Sequence, residues 1–260
     1  MEHVLSLSYG KDSLSCLGAI EELGWPLDRI VHAEVWATAT IPADLPPMVE
    51  FKTKADKIIK ERWGIEVEHV TASKSFEDIF HRVYKRSKDP DKNGRIYGWP
   101  TLRGNWCTGE LKNEAVAKAK GEGAGKIRYL GIAADEPNRF HNLTPNSTSP
   151  LVELGWTEAD CWKWCEENDL LSPIYTTSAR GGCWFCHNQG IPQLRHLRAT
   201  YPELWELMLK WDLDSPVTFH PDGRTVHDFE RRFAAEDAGV VPKDRRFRWD
   251  MLDQTYLGGV

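Results

Sequence analysis

Residues 4–20, Val4-Leu5-Ser6-Leu7-Ser8-Tyr9-Gly10-Lys11-Asp12-Ser13-Leu14-Ser15-Cys16-Leu17-Gly18-Ala19-Ile20, change their apolar period half-way. Val4, Leu5 and Leu7 form an apolar run of strand length. From Leu14 onward, Leu14, Leu17 and Ile20 recur at helical spacing. A strand that turns tightly into a helix leaves backbone N–H groups and the positive end of the helix dipole facing whatever rests on the turn. Gly10 lets the backbone come close to an oxyanion, Lys11 adds a charge, and Ser8 and Ser13 add hydroxyl donors. A Gly-Lys pair also reads as an ordinary turn with a solvated lysine. Here six consecutive positions suit phosphate, and the Walker A spacing is absent.

Outward from this corner the chain alternates strands and helices. Ile30–Val35 reads as a second strand, 47–62 as a helix and Val67–Val70 as a third strand. A helix over Phe76–Tyr84 leads into a polar loop around SKDPDKNG, read either as substrate-covering or as plain solvated loop. A helix over Thr108–Lys120 and a strand over Ile127–Ile132 follow. Thr157 is an N-cap candidate, with Glu158 and Asp160 at the positive helix end. This pattern predicts an α/β fold with a mostly parallel sheet, in which ligands bind beyond the carboxyl ends of the strands. Glu34 and 38–44 then either line that site or form an exposed loop. Leu194, Leu197, Leu204, Trp205, Leu207, Met208 and Trp211 predict a helical C-terminal extension, so 1–190 and 191–260 are the expected domains.

The 260 residues suffice for one sizeable domain with a smaller extension. A hydrophobic content of 41%, a charged content of 28% and a net charge of −6 suit a soluble protein and argue against a generally nucleic-acid-coating surface. Lys243-Asp244-Arg245-Arg246-Phe247-Arg248-Trp249 is a local basic, aromatic-interleaved exception, read either as a nucleic-acid patch or as a charged surface strip. No apolar stretch approaches membrane-spanning length, and Glu2 and His3 run directly into the first strand without a signal pattern. A cytoplasmic location is therefore expected, with the 6 cysteines serving as core residues, metal ligands or catalytic groups rather than disulfides.

Ser8-Tyr9-Gly10-Lys11-Asp12-Ser13 resembles the S-G-G-K-D-S pyrophosphate loop of the PP-loop ATP pyrophosphatase superfamily. Three further stretches, Gly98–Lys112, Gly131–Arg139 and Trp156-Thr157-Glu158…Tyr175, resemble its phosphoadenosine phosphosulfate reductase-like branch, over roughly residues 1–190. The resemblance implies a doubly wound, adenine nucleotide α-hydrolase-like sheet that uses ATP and Mg²⁺. The residues it implies for catalysis are Lys11, Asp12 and Ser13. Nucleotide contacts would fall on Ser6, Ser8, Tyr9, Gly10, Lys11, Asp12, Ser13, Glu34, Arg103, Lys112, Gly131, Glu136, Arg139 and Arg180. Tyr9 stands where the family has glycine and is expected to crowd one side of the cradle.

Cys183-Trp184-Phe185-Cys186, with Cys107 as a third thiol, suits an iron–sulfur cluster or zinc. His187 completes the C-x-x-C-H haem pattern, which requires export. A buried turn is the bland reading. In the sister reductases and related thiolases, cysteines at matching positions hold a [4Fe–4S] cluster. Here Trp106 fills the place adjacent to Cys107, so three cysteines would leave one iron open. Cys16, Cys161 and Cys165 read as core.

An acceptor attacking the α-phosphorus of ATP would give an adenylated intermediate and pyrophosphate. No cysteine follows Cys186 to match the reductases' C-terminal nucleophile. Ala133 and Pro137 replace the Arg and Ser of the family's G-I-R-A-x-E-S turn. The expected activity is thus an ATP pyrophosphatase or adenylating sulfurtransferase. A sulfur-donor protein such as a cysteine desulfurase, and a nucleic acid accepting sulfur as in DNA phosphorothioation, are the implied partners. A sulfonucleotide reductase and a non-catalytic nucleotide-binding subunit are the alternatives.

Overall fold

A computed structural model describes residues 1–101, 105–119, 125–176 and 181–257, the last four as backbone only. The chain divides into two compact units, Met1–Glu77 with Trp106–Trp184, and Asp78–Asn105 with Phe185–Val260.

The first unit is an α/β structure around a five-stranded sheet. Its strands are β1 (Glu2–Ser6), β2 (Arg29–Glu34), β3 (Val67–Thr71), β4 (Lys126–Tyr129) and β5 (Ser147–Thr148), in the order β3-β2-β1-β4-β5. All four pairings are parallel. Alternate strand residues feed opposite faces. Leu5, Ile30 and Tyr129 join one core cluster with the helices α1 (Lys11–Leu23), α2 (Pro46–Trp63), α6 (Pro150–Leu154) and α7 (Glu158–Glu167), whereas Val4 and Val31 face the other side with Ala119 and Val70. Buried on both faces, such strands read as apolar runs.

Between those elements lie α3 (Phe76–Phe80), a π-helical turn at Thr108–Asn113, α4 (Glu114–Lys118) and α5 (Pro137–Phe140). The helix expected over Phe76–Tyr84 stops at Phe80 because Gly98 N–H and Tyr97 N–H are taken up by the carbonyls of Phe80 and Arg82. The helix expected from Thr108 is π-helical for its first six residues, and the strand expected to Ile132 ends at Tyr129.

Helix α1 is buried from Ser13 to Ile20, and it meets α7 at Gly18, where an added Cβ would lie 2.3 Å from Trp164 Cε2. Thr157 starts α7 with a capping box, its hydroxyl accepting from Asp160 N–H while Asp160 accepts from Thr157 N–H.

In the second unit, an antiparallel bridge between Val83 and Ile96 and stacked Tyr84 and Tyr97 rings, 4.1 Å apart, organise the polar loop. Its helices are α8 (Ile191–Thr200), α9 (Pro202–Asp214), α10 (Val226–Asp237) and α11 (Asp250–Leu257). Trp99 packs against Phe80, Trp211 and Phe219, and its indole N–H donates to Asp212 (3.0 Å).

No described helix is long and apolar enough to cross a membrane.

Candidate functional site

The strand order reverses direction at β1, whose successor β2 lies on one side and β4 on the other. Such switch points open a crevice at the carboxyl ends of the strands. Here β1 ends in the turn 7–10 and β4 in the turn 130–136. The two segments touch: a Cβ on Gly131 would lie 2.5 Å from Ser13 N and 2.7 Å from Asp12 C. Only hydrogen at this position lets the exit of β4 rest against the first turn of α1.

Gly10, the N-cap of α1, offers no side-chain cap. Ser13 Oγ donates to Gly10 O (3.0 Å) and accepts from Ser8 N–H (3.1 Å), closing the turn on itself. Lys11 is buried, its ammonium gripping Asp12 (2.6 Å) and, from the start of α7, Glu158 (3.2 Å). Burial opposes charge on Lys11, but the bonds from Asp12 and Glu158 outweigh it and raise its pKa. Burial also raises the Asp12 carboxyl, against the pull of Lys11. Lys11 N–H donates to Tyr175 Oη (2.9 Å), and Glu158 N–H donates to Asp135 (3.1 Å). Two helix N-termini, α1 and α7, thus converge on one cation and three carboxylates, a charge set suited to a metal–phosphate pair.

No family model matches the chain, and no curated protein matches it.

Among the residues expected at the site, Gly10, Lys11, Asp12, Ser13 and Gly131 come together at this corner. Ser8 joins them through its hydroxyl, 3.0 Å from that of Ser13, and Ser6 is the last residue of β1. Glu136 binds Arg139 (2.6 Å), so these two candidates neutralise each other at the exposed edge. Lys112 is exposed on the π-helical turn. Arg103 and Arg180 lie outside the described residues. Glu158, Asp135 and Tyr175 were not assigned there from sequence, since nothing local marks a helix-start Glu as the partner of a lysine 147 positions away.

Tyr9 does not stand over the cradle. Its φ of +56° turns the fully buried ring into the core, where it packs edge-on against His32. Its hydroxyl donates to Asp56 on α2 and lies 3.1 Å from His69 Nε2 on β3. Burial, then the Asp56 carboxylate, push the phenol pKa up, so it stays protonated. Glu34 belongs to this same network: one oxygen binds Lys52 (3.0 Å) and the other His69 (2.9 Å). Lys52 also binds Asp44 (2.5 Å) and His32 (2.8 Å). Tyr9→Phe leaves Asp56 with one partner fewer and is expected to cost about 1–2 kcal/mol in denaturant unfolding. An unchanged midpoint would show that the hydroxyl anchors nothing.

The network also sets a pH window. Burial, then Lys52, lower the His32 pKa to about 3. Hydrogen bonds to Asp56 and Glu34 raise that of His69 to about 9. The His69 bond from one side and Lys52 from the other lower Glu34 to about 2. Below the ordinary histidine pKa of about 6.5 the unfolded chain takes up a proton that His32 refuses, so stability falls towards acid. The His69 contribution is complete below that value and is lost as pH rises through about 9. Because His69 is partly exposed, its share is discounted for solvent screening to about 1–2 kcal/mol. Unfolding free energy in chelator should therefore peak near the ordinary histidine pKa, about 6.5, and His69→Asn should flatten the alkaline limb while leaving the acid limb in place.

The cysteines fall into two groups. Cys16, Cys161 and Cys165 are buried. Cys165 Sγ donates to Lys11 O (3.3 Å), and burial pushes the Cys161 and Cys165 thiols up to about 12 and about 11. These are core thiols, unsuited to metal or nucleophilic work. Cys107, Cys183 and Cys186 are partly exposed. The first two belong to the first unit and Cys186 to the second.

The basic strip of the second unit is largely engaged within the protein. Lys243 pairs with Asp237, Arg246 with Asp244 and Arg248 with Asp250. The Arg232 and Arg224 guanidiniums cover the Phe247 and Trp249 rings at 3.8 and 4.4 Å.

Proposed function

We propose that the chain is a PP-loop ATP pyrophosphatase of the phosphoadenosine phosphosulfate reductase-like branch, with an adenine nucleotide α-hydrolase-like fold, acting as an adenylating sulfurtransferase. The observation that carries this reading is Lys11 at the start of α1, held between Asp12 and Glu158 against the Gly131 turn. The donor set fits a nucleotide's phosphates: an ammonium, the Ser8 and Ser13 hydroxyls, and the N-terminal turn of a 13-residue helix with no side-chain cap. Tyr175 Oη, resting on Lys11 N–H, occupies the kind of position a phosphate oxygen takes.

In this mechanism Lys11 and the N-terminal turn of α1 neutralise charge on the phosphates as an acceptor oxygen bonds to the α-phosphorus and the bond to pyrophosphate breaks. Asp12, with Glu158 beside it, would hold Mg²⁺, whose charge would help neutralise the leaving pyrophosphate. Ser13 keeps the turn closed. The resemblance assigns an iron–sulfur cluster, or zinc, to Cys107, Cys183 and Cys186, whose thiols are soft donors of the right chemistry. When bound, a cluster with an open iron would carry the sulfur.

The test is pyrophosphate release from Mg·ATP by protein purified without oxygen, alongside iron and sulfide analysis. Pyrophosphate release with bound iron supports the reading. Sulfite release from a sulfonucleotide with a thiol donor would replace it by the reductase, and ATP binding without turnover in the presence of a cysteine desulfurase and nucleic acid would replace it by a binding subunit.

A further inference from the structure

His32 and Glu34 stand two residues apart on β2 and so share a face, and the register pairs His32 with His69 on β3. One ligating atom from each of the three lies within 4.8 Å of the others. Both imidazoles are oriented from behind. His32 Nδ1 donates to the Leu7 carbonyl (2.8 Å), which leaves the Nε2 lone pair facing inward. The nitrogen of His69 that faces away from Glu34, Nε2, bonds to the Asp56 carboxylate (2.9 Å). Outer hydrogen bonds of this kind, one to a backbone carbonyl and one to a carboxylate, fix tautomer and ring orientation in metal-ligating histidines.

The space between them already holds a cation. Lys52, 4% exposed, reaches in from α2 until its ammonium is 2.8 Å from His32 Nε2, 3.0 Å from Glu34 and 2.5 Å from Asp44. An ammonium set against an imidazole lone pair and two carboxylates is coordinated as an ion would be. We propose that His32, Glu34 and His69 form a binding site for a divalent first-row metal ion, of the zinc class, in which Lys52 is the built-in competitor. Two imidazoles and one carboxylate suit such ions rather than Mg²⁺ or Ca²⁺. A divalent ion brings twice the charge of the ammonium to the same lone pairs. Lys52 can retreat along its flexible stem and keep Asp44, which is not needed as a ligand. The entry path is the His69 side, whose side chain is 32% exposed. This site adjoins the nucleotide corner through Leu7 O and Tyr9 but shares none of its proposed phosphate donors, and it does not rest on the activity proposed there.

The test measures Zn²⁺ binding by calorimetry and Co²⁺ binding by visible absorption in the full chain, with Cys107, Cys183 and Cys186 changed to Ser so that thiolates contribute nothing. Expected are one equivalent bound, tightening at least roughly tenfold in Lys52→Met and weakening at least roughly tenfold when His69→Ala is added. Lys52→Gln, which keeps a partner for Asp44 without the charge, gives the same comparison should the Met variant fold poorly. The proposal is overturned if removing the ammonium leaves affinity unchanged, if His69→Ala has no effect, or if neither ion binds to any variant.

Discussion

Gly131→Ala should unfold with a midpoint roughly 5–10 °C below wild type, corresponding to a loss of about 3 kcal/mol. The methyl group would be placed 2.5 Å from Ser13 N and 2.7 Å from both Asp12 C and Ser13 Cα. These are backbone atoms, so no rotamer change can relieve the overlap. Either β4 separates from β1 or the first turn of α1 is pushed off its axis. The second route should also weaken the nucleotide binding proposed for this corner, and the two losses should therefore appear together. Gly109→Ala is the matching control, since nothing lies within 4 Å of the Cβ it would add. It should shift stability by no more than about 0.5 kcal/mol. Equal midpoints for the two variants would mean that the close approach of β4 to α1 is not what shapes this corner.

The second large effect is on chemistry. Lys11→Ala is expected to lower pyrophosphate release from Mg·ATP by about 10²–10³-fold, the usual cost of removing one donor aimed at developing charge. The fold should survive, because α1 is held by the buried Leu14, Leu17 and Ile20 of the apolar core. Without the ammonium, the Asp12 and Glu158 carboxylates lose their shared partner at the place proposed for phosphate. Lys11→Arg, which restores charge with different geometry, should recover part of the rate. Wild-type turnover in Lys11→Ala would remove the corner from the mechanism altogether.

These two predictions draw unequally on the sequence. Lys11 announces itself, because an apolar run of strand length, a Gly-Lys turn and a 3.6-residue period are all local signals. The same is true of Thr157, whose capping box is written within four residues. Cys161 and Cys165 share one helical face by spacing, and their burial agrees with the reading of free cysteines as core residues. Gly131 carries no such mark: its neighbours at Asp12 and Ser13 are more than a hundred residues distant. The buried ring of Tyr9 departs from the expected crowding of the cradle for a related reason. Sequence places it in the loop, but the direction of its ring depends on Asp56 and His69, which arrive from α2 and β3.

Periodicity and capping, which act between neighbours in the chain, thus determined that this protein has strand–turn–helix units, a parallel α/β sheet and a phosphate-suited first corner. Pairing register and helix packing decided the rest. They set His32 beside His69, brought Glu158 to Lys11, and gathered Asp78–Asn105 with Phe185–Val260 into one unit. Such contacts are selected by the burial and hydrogen bonding of the whole fold, and no window of sequence contains both partners.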